Sequence, residues 1–252
     1  LLEEGIDTTV RDKSEREKIS SKADSFEERG AKLVLGENYL ENIEADVIFR
    51  TPGLRPDLPE IESALKRGAI LTSEMEAFFE VCPCKIIGVT GSDGKTTTTT
   101  IIAELLKSAG YTVHIGGNIG TPLLTSADKM KKDDIVVLEL SSFQLMTMNV
   151  SPEISVITNL SPNHLDVHKD FDEYIDAKKN IFTHHDRNGC TVLNMDNTLT
   201  KSFKSAGELR YFSRREPVSN GFYCLNGKIY SSFNGNTVDF MSASDILLPG
   251  VH

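Results

Sequence analysis

Short apolar runs alternate with longer polar segments along most of this chain. The runs of the first third fall at residues 7–12, 31–35, 45–50 and 69–73. A second series falls at residues 85–90, 111–115, 135–140, 154–160 and 191–194. The runs of the second series are apolar almost throughout, as expected of strands that are covered on both faces. Strands that alternate with helical segments predict an α/β architecture with a mostly parallel sheet.

The same pattern divides the chain into two predicted domains. A helical stretch that ends at Ala77-Phe78-Phe79 gives way near residue 84 to a new buried strand, so we predict domains at residues 1–82 and 83–252. Further on, strand-like runs at 222–225, 228–233 and 237–241 are separated by Asn-Gly pairs. Because Asn-Gly between strands favours two-residue hairpins, we predict a small antiparallel β extension on the second domain.

Composition limits the classes of protein to which the chain can belong. It has 252 residues, of which 39% are hydrophobic and 25% are charged, as in ordinary globular proteins. The formal net charge of -10 argues against a nucleic-acid partner, because phosphate backbones bind basic surfaces. No apolar run approaches the ~20 residues of a membrane span, and no signal peptide is evident. We therefore expect a cytoplasmic protein without nucleic-acid or membrane partners. We also expect a monomer, although composition does not bear on the oligomeric state.

The cysteines predict no metal or redox motif. They are Cys82, Cys84, Cys190 and Cys224. A single proline separates Cys82 from Cys84, whereas the usual zinc and redox pairs have two intervening residues. We expect all four side chains to be reduced thiols.

The sharpest motif is a glycine-rich turn that follows a buried strand and precedes a helical stretch at 101–108. Its sequence, at residues 88–97, is Gly-Val-Thr-Gly-Ser-Asp-Gly-Lys-Thr-Thr. Glycines let backbone N–H groups face phosphate oxygens, and the helix N-terminus adds partial positive charge. Lys95 can reach the outer phosphates, and the Thr96 hydroxyl can bind Mg²⁺. The predicted ATP-binding residues are Gly91, Ser92, Asp93, Gly94, Lys95, Thr96 and Thr97.

This loop departs from the general phosphate-binding pattern at one position. Val89 stands where the general pattern has its first glycine. The alternative interpretation is a structural turn that binds nothing. The Gly-Lys-Thr triplet favours a phosphate site, because Lys95 and Thr96 stand where each has a chemical role.

The compact loop, Thr-Gly-x-x-Gly-Lys-Thr-Thr, resembles the ATP loop of the Mur ligases and of their relative folylpolyglutamate synthase. These enzymes phosphorylate a carboxylate with ATP and then let an amine displace the phosphate. Residues 116–122 and 139–145 resemble the branch of the family that adds D-glutamate to UDP-N-acetylmuramoyl-L-alanine, while 159–168 are similar to several branches. The resemblance implies a Rossmann-like first domain that binds the UDP substrate, a P-loop-type second domain, ATP and two Mg²⁺ ions.

Glu139 stands at the carboxyl end of a predicted buried strand, where parallel sheets place their ligand crevice. The phosphate loop follows its own strand in the same way, so we predict that Glu139 and Thr96 share one Mg²⁺. A solvated carboxylate at a strand end is the alternative. The resemblance places Asn118 and Ser141 against the UDP-muramoyl substrate.

Histidines form a second group of candidates. His164 and His168 are spaced as ligands on one helical face, but no third zinc ligand lies at a convincing spacing. The resemblance implies that His164 helps to hold the second Mg²⁺, that Asp166 supports the site, and that His168 lies beside it or at the surface. His184 and His185 are predicted to be a surface pair at a helix end.

One lysine falls on the apolar face of the predicted helix at 171–182. The apolar stripe of this helix consists of Phe171, Tyr174, Ile175, Ile181 and Phe182. Lys178 lies on that stripe, which is costly for a lysine unless it is paired, is chemically changed or extends its head to solvent. The resemblance implies that Lys178 is carbamylated by CO₂, that the resulting anion positions the second Mg²⁺, and that Lys178 is catalytic together with Lys95 and His164.

In the first domain, the resemblance implies that Asp12 hydrogen-bonds uracil and that Gly53 lets the backbone approach the nucleotide. An ordinary strand-end carboxylate is the alternative for Asp12. The resemblance also implies that a diphosphate-binding turn before Leu1 and a third domain after His252 are missing. We therefore expect this chain alone to bind nucleotide weakly and to turn over little or no substrate.

Three rival functions remain open. The first is another Mur-type or folylpolyglutamate-type ligase that adds a different amino acid, which the Ser-Ser-Phe-Gln run at 141–144 disfavours. The second is a non-catalytic nucleotide-binding protein, which the set of Lys95, Glu139, His164 and Lys178 disfavours. The third is a simple P-loop hydrolase, which the glycine placement disfavours.

Overall fold

The computed structural model describes residues 1–162 and 167–246, and its backbone forms two compact units. The first unit comprises Leu1–Arg50 and Leu54–Leu71, and the second comprises Thr51–Gly53 and the chain from Thr72 onward. This division precedes the helix that the sequence assigned to the end of the first domain. The domain limits 1–82 and 83–252 stay predictions.

The first unit is small and mixes helices with short strands. Its elements are β1 (Thr9–Asp12), α1 (Ser20–Glu28), β2 (Lys32–Leu35), β3 (Val47–Arg50), α2 (Pro59–Lys66) and β4 (Ile70–Ser73), of which β4 continues into the second unit. Strands β1 and β2 pair in parallel, and β3 and β4 form a separate two-stranded sheet. Helix α2 begins with a proline, which suits a first turn, and buries Ile61 and Ala64 against Ile43.

The second unit contains the main sheet. Its elements are α3 (Glu74–Val81), β5 (Lys85–Thr90), α4 (Lys95–Ser108), β6 (Val113–Gly117), β7 (Ile135–Glu139), α5 (Ser142–Leu145), β8 (Ile154–Ile157), α6 (Phe171–Thr183), β9 (Cys190–Asn194), β10 (Glu208–Ser213), β11 (Gly221–Leu225), β12 (Lys228–Phe233) and β13 (Asn236–Ser242). Within the described part of the chain, nine strands of this sheet lie in the order β13-β12-β11-β10-β9-β8-β5-β7-β6. The pairs β6-β7, β7-β5, β5-β8, β8-β9, β9-β10 and β10-β11 are all parallel, which confirms the predicted α/β class with a mostly parallel sheet.

Both faces of the parallel strands are covered, as their unbroken apolar runs predicted. Along β5, Ile86 joins one core cluster with residues of α3 and α6, while Ile87 and Val89 join another with Ala103 of α4. Among the described residues, no helix is both long enough and apolar enough to cross a membrane.

The last three strands form the predicted antiparallel meander, and the main sheet continues through them. Both turns are Asn-Gly pairs with positive φ at each position, at Asn226-Gly227 and Asn234-Gly235. This is the conformation that two-residue hairpins require. Strand β10 was not predicted, and it joins the meander to the parallel strands by pairing in parallel with both β9 and β11.

Candidate functional site

The glycine-rich loop lies between the carboxyl end of β5 and the first residue of α4. Gly94 caps α4 with φ of 77°, a left-handed conformation that glycine adopts at little cost. Gly91 has φ of 151°, and a Cβ there would lie 1.9 Å from Thr158 Oγ1. The loop therefore requires glycine at one position for its backbone conformation and at the other for both conformation and close packing.

The loop is tied to the segment that follows β8. The Ser92 N–H donates to the Asn159 carbonyl (3.0 Å), and the Asp93 N–H donates to Asn159 Oδ1 (2.9 Å). Thr158 Oγ1 donates to the Asp93 carbonyl (2.6 Å). The N–H groups of Ser92 and Asp93 therefore already have acceptors within the protein. The N–H groups of the first turn of α4, which have no acceptor within the helix, are left to face an anion.

The Ser92 side chain anchors the loop to the protein interior. Its Oγ donates to the Ser161 carbonyl (2.9 Å) and lies 2.9 Å from the hydroxyl of Tyr174. Tyr174 is buried in α6, and burial raises the pKa of its hydroxyl, so that the group stays protonated. Sequence reasoning placed Tyr174 in the core but missed its hydroxyl as a support of the phosphate loop.

Lys95 bends back over the loop. Its Nζ donates to the carbonyls of Gly91 and Ser92, both at 3.0 Å. A phosphate group in the loop would offer this ammonium charged acceptors, which form stronger hydrogen bonds than carbonyls do. Thr97, the last of the predicted ATP-binding residues, is exposed in the first turn of α4.

The structure brings Thr96, in the first turn of α4, together with Glu139, at the carboxyl end of β7. Glu139 is 1% exposed, and its Oε2 accepts a hydrogen bond of 2.6 Å from Thr96 Oγ1. Its Oε1 accepts a bond of 2.9 Å from Asn118 Nδ2. Asn118, assigned by resemblance to the substrate, thus holds the carboxylate of Glu139. The two partners fix both carboxylate oxygens in orientation.

Gly117 allows this arrangement. It has φ of 92°, and a Cβ there would lie 2.1 Å from the carbonyl oxygen of Glu139. The Asn118 N–H donates to that same carbonyl (2.8 Å). The glycine therefore lets β6 close on the end of β7, and this places Asn118 beside the carboxylate.

Lys178 is buried in α6 directly beneath the loop, with 2% of its surface exposed. Its Nζ donates to Thr90 Oγ1 (3.1 Å) and to the Gly91 carbonyl (2.9 Å), and it lies 4.9 Å from the ring centre of Tyr174. Burial, followed by the nearby charge of Lys95, lowers the pKa of Lys178 to about 7. Two lysine side chains thus converge on the carbonyl of Gly91.

Ser141, the other residue assigned to the substrate, is the N-cap of helix α5. Its Oγ accepts from the Gln144 N–H (3.2 Å), and Gln144 Oε1 accepts from the Ser141 N–H (3.0 Å). This reciprocal arrangement is a capping box, which needs Ser or Thr followed three residues later by Glu or Gln. The capping box was a readable signal in the Ser-Ser-Phe-Gln run, and sequence reasoning missed it.

Behind the capping box, His168 connects the start of α5 to the first turn of α6. It is 3% exposed, with Nε2 2.9 Å from Ser142 Oγ and Nδ1 3.3 Å from Glu173 Oε2. Its ring stacks on Phe143 and meets the edge of Tyr174. A surface location for His168 is therefore ruled out.

The prediction that His184 and His185 form a surface pair is wrong for His185. His184 is exposed, but His185 is 9% exposed and lies between β8, β9 and α6. Its Nε2 is 2.7 Å from the Pro152 carbonyl, and its Nδ1 is 3.1 Å from Thr191 Oγ1. Burial lowers the pKa of His185.

The remaining predicted residues have simpler surroundings. His164 and Asp166 lie outside the described residues. Asp12 ends β1, and its Oδ1 accepts from the Ser14 N–H (2.7 Å), which holds the pKa of Asp12 below its usual value. Gly53 is exposed, and a Cβ there would meet no atom within 4 Å.

The side chains present fit Mg²⁺. A hydroxyl and a carboxylate oxygen converge at Thr96 and Glu139, and Mg²⁺ prefers oxygen ligands. Within residues 1–162 and 167–246, no cluster of three or more His, Cys, Asp or Glu side chains could hold a metal by itself. Magnesium sites in phosphate-transferring proteins commonly use one or two protein ligands and complete their shell with phosphate and water.

Residues 89–249 match the family described as the Mur ligase middle domain. The chain is 53% identical to UDP-N-acetylmuramoylalanine–D-glutamate ligase of Clostridium botulinum strain 657, and 49% identical to that of Ruminiclostridium cellulolyticum. Each alignment covers 100% of this chain and 55% of the relative. The chain thus spans about half the length of these curated relatives.

Solved structures share the fold. UDP-N-acetylmuramate:L-alanyl-gamma-D-glutamyl-meso-diaminopimelate ligase from Neisseria meningitides has a TM-score of 0.54 at 18% identity, with coverage of 97% of this chain and 83% of that chain. MurF ligase from Thermotoga maritima, in complex with ADP, has a TM-score of 0.50 at 19% identity, with coverage of 94% and 58%. At these identities the likeness concerns the fold alone.

Proposed function

Because this chain belongs to the Mur ligase family, we propose that the whole protein uses ATP to join D-glutamate to UDP-N-acetylmuramoyl-L-alanine in peptidoglycan precursor synthesis. The observation that carries the proposal is the pairing of Thr96 with Glu139 beside the phosphate loop, above the buried Lys178. The 53% identity to relatives named as ligases of this kind supports the choice of substrates.

The residues of the loop would bind the triphosphate of ATP. The N–H groups that begin α4 and the ammonium of Lys95 would hold the outer phosphates. Thr96 and Glu139 would hold one Mg²⁺, and His164 with Lys178 would position a second. Magnesium, when bound, neutralises charge on the phosphates.

Two balanced steps make up the proposed reaction. An alanyl carboxylate oxygen forms a bond to the γ-phosphorus while the bond from that phosphorus to the ADP oxygen breaks, which produces an acyl phosphate. The D-glutamate amine then bonds to the acyl carbon, phosphate leaves, and the nitrogen loses a proton to give the amide. Lys95 offsets the negative charge that develops on the transferred group. Exclusion of water by the bound substrates would protect the acyl phosphate.

We further propose that Lys178 is carbamylated. Its Nζ reaches a hydroxyl and a carbonyl, and among the described residues no carboxylate lies within ion-pair distance of it. A buried ammonium in such surroundings is costly. Reaction of the amine with CO₂ forms an N–C bond, releases a proton and yields a carbamate anion. The repulsion with Lys95 is thereby replaced by attraction, and the attraction to Glu139 is replaced by a repulsion that a bound Mg²⁺ would offset.

The proposal also covers the binding of the UDP substrate, the cellular location and the oligomeric state. Asp12 would accept a hydrogen bond from uracil, and Gly53 would admit the nucleotide to the backbone. Asn118 and Ser141 would contact the muramoyl substrate from the second domain. The protein would act as a cytoplasmic monomer without nucleic-acid or membrane partners.

The test is ADP release by the full-length protein with UDP-N-acetylmuramoyl-L-alanine and a panel of amino acids. We expect release to depend on D-glutamate and to be lost in Lys95→Ala. A matched control is Lys107→Ala, at an exposed lysine of the same helix that pairs with Glu104. Dependence of ADP release on another amino acid would favour a neighbouring ligase. ADP release without any acceptor would favour a hydrolase, and the absence of ADP release would favour a non-catalytic nucleotide-binding protein.

A further inference from the structure

Two cysteine sulfurs lie in contact where helix α3 leads into strand β5. Cys82 caps the C-terminus of α3, and its Sγ is 3.5 Å from the Sγ of Cys84. The same Cys82 sulfur lies 3.6 Å from the carbonyl oxygen of Cys84. A disulfide has a sulfur–sulfur distance of about 2.05 Å, so closure requires an approach of roughly 1.5 Å shared between two side chains.

The backbone around the pair is already restricted. Pro83 has a nearly fixed φ, and a proline also limits the conformations of the residue before it. Cys82 is further held by the hydrogen bond from its N–H to the Phe78 carbonyl (2.9 Å). Closing the disulfide therefore orders little additional chain.

We propose that Cys82 and Cys84 form a reversible disulfide by exchange with a low-molecular-weight disulfide such as oxidised glutathione. In this exchange Cys82 is the attacking thiol and Cys84 the resolving thiol. The site makes no use of the nucleotide loop, and the proposal is independent of the proposed function.

Burial assigns the two roles. Cys82 is half-buried at the edge of the core, whereas Cys84 is 5% exposed within it. Burial, reinforced by the neighbouring Cys82, raises the pKa of Cys84 to about 12. Because the thiolate is the nucleophile, Cys84 is a poor first attacker on an external reagent. Once Cys82 carries a mixed disulfide, the short distance between the sulfurs favours Cys84 as the internal thiol.

The exchange balances in two steps. The Cys82 thiolate bonds to one sulfur of oxidised glutathione, the glutathione disulfide bond breaks, and one glutathione leaves. Cys84 then gives its proton to water and bonds to the Cys82 sulfur, and the second glutathione leaves. The protein sulfurs lose two electrons, and the external disulfide becomes two thiols. Intracellular disulfides of this kind are usually transient and redox-sensing.

Trypsin isolates the pair for analysis. No Lys or Arg lies between Arg67 and Lys85, so the peptide at 68–85 carries both cysteines and no others. After the folded full-length protein is incubated with oxidised glutathione, we expect this peptide to be lighter by two hydrogen atoms and unreactive toward alkylation. Cys190 and Cys224, which are free and lie on separate strands, serve as internal controls.

Single substitutions distinguish the two roles. In Cys84→Ser the glutathione adduct on Cys82 should persist and accumulate about tenfold or more over the wild-type level, because no resolving thiol remains. In Cys82→Ser the buried Cys84 should stay a free thiol. Circular dichroism confirms that each variant is folded, and Cys84→Ala replaces Cys84→Ser if the serine is not tolerated in the core.

Three results would overturn the proposal. The first is a peptide 68–85 that remains a dithiol at an oxidant level that modifies Cys190 or Cys224. The second is an adduct on Cys82 that is as abundant in the wild type as in Cys84→Ser. The third is an internal disulfide that forms only after the protein is unfolded in urea.

Discussion

A lysine ammonium in a protein core needs several acceptors or an anion to offset the loss of its hydration. Among the described residues, the acceptors of Lys178 are one hydroxyl and one carbonyl, and a second lysine, Lys95, shares that carbonyl. Its neighbour Lys179 is different, because its Nζ pairs with Asp176 on the exposed side of α6. The two adjacent lysines therefore form a matched pair for testing carbamylation.

We predict that ¹³C-labelled bicarbonate gives a carbamate signal in the full-length protein that is lost in Lys178→Ala and retained in Lys179→Ala. Ligase activity should fall by at least about tenfold in Lys178→Ala, the range seen when a group that orients a metal site is removed. Added short carboxylates such as acetate should restore part of the activity, because they can occupy the vacated space as anions. Full activity in Lys178→Ala would contradict the assignment.

The burial of His185 leads us to predict that the stability of the folded protein depends on pH. Its ring contacts the Pro152 carbonyl and the hydroxyls of Ser155 and Thr191, and burial lowers its pKa in the folded state. The unfolded chain, with an ordinary histidine pKa of about 6.5, therefore binds the proton more readily. The stability associated with neutral His185 is present above that pH and is lost as the pH falls below it.

The measurement is the urea midpoint at pH 7.5 and at pH 5.5, a range chosen about one unit on either side of the histidine pKa. The decrease at the lower pH should be smaller in His185→Gln than in the wild type. His184→Gln, at the exposed neighbour, should behave like the wild type. Equal decreases in all three proteins would show that His185 contributes nothing to the acid sensitivity.

At the scale of elements, the approach of β6 to the end of β7 requires glycine at position 117 for two separable reasons, which are its backbone conformation and the lack of space for a Cβ. Gly117 and Gly110 both have φ of 92°. A Cβ at Gly117 would lie 2.1 Å from the Glu139 carbonyl oxygen, whereas a Cβ at Gly110, after α4, would meet nothing within 4 Å. The two positions thus share the conformational cost of alanine and differ in the steric cost.

We predict that Gly110→Ala lowers the free energy of unfolding by about 1–2 kcal/mol, the usual cost of a left-handed residue with a Cβ. Gly117→Ala should exceed that loss by about 2 kcal/mol or more, because backbone rather than a flexible side chain must move. Urea unfolding of both variants measures the difference. Similar losses would mean that β6 shifts away from β7 without resistance.

Secondary-structure elements were predictable where the pattern that indicates them lies within their own residues. The parallel strands β5 and β7 have unbroken apolar runs, and the phosphate loop is a contiguous motif with Gly91 and Gly94 at its turns. Strand β10 was missed because Glu208 and Arg210 interrupt its apolar residues. These two side chains form an ion pair with each other at the surface. Its place in the sheet depends on β9 and β11, which its own six residues do not encode.

Side-chain environments that depend on distant partners were the least predictable. The partners of His185 lie on β8, on β9 and at Pro152, so no spacing in the sequence distinguishes it from the exposed His184. The contact of Asn118 with Glu139 likewise depends on the closure of two strands. By contrast, helical periodicity alone placed Lys178 on the apolar stripe of its helix, although it left open whether the ammonium extends to solvent.

For the whole molecule, the two units predict two separate responses to ligands. The phosphate loop, Glu139 and Lys178 lie in the second unit, whereas Asp12 ends a strand of the first. A ligand stabilises the part of a protein to which it binds, by about 2.7 kcal/mol at a free concentration of 100 times its dissociation constant. Amide hydrogen exchange reports that stabilisation segment by segment.

In the full-length protein, MgADP should slow exchange in peptides from β5, the start of α4 and the end of β7, with little effect on β1 and β2. UDP-N-acetylmuramoyl-L-alanine should slow exchange around Asp12 of the first unit and around Gly53, Asn118 and Ser141 of the second. Asp12→Asn should weaken the second response and leave the first unchanged, because the substituted amide presents uracil with a different pattern of donor and acceptor. Protection of β1 and β2 by MgADP alone would place the nucleotide in the wrong unit and remove the basis for the roles assigned to Lys95 and Glu139.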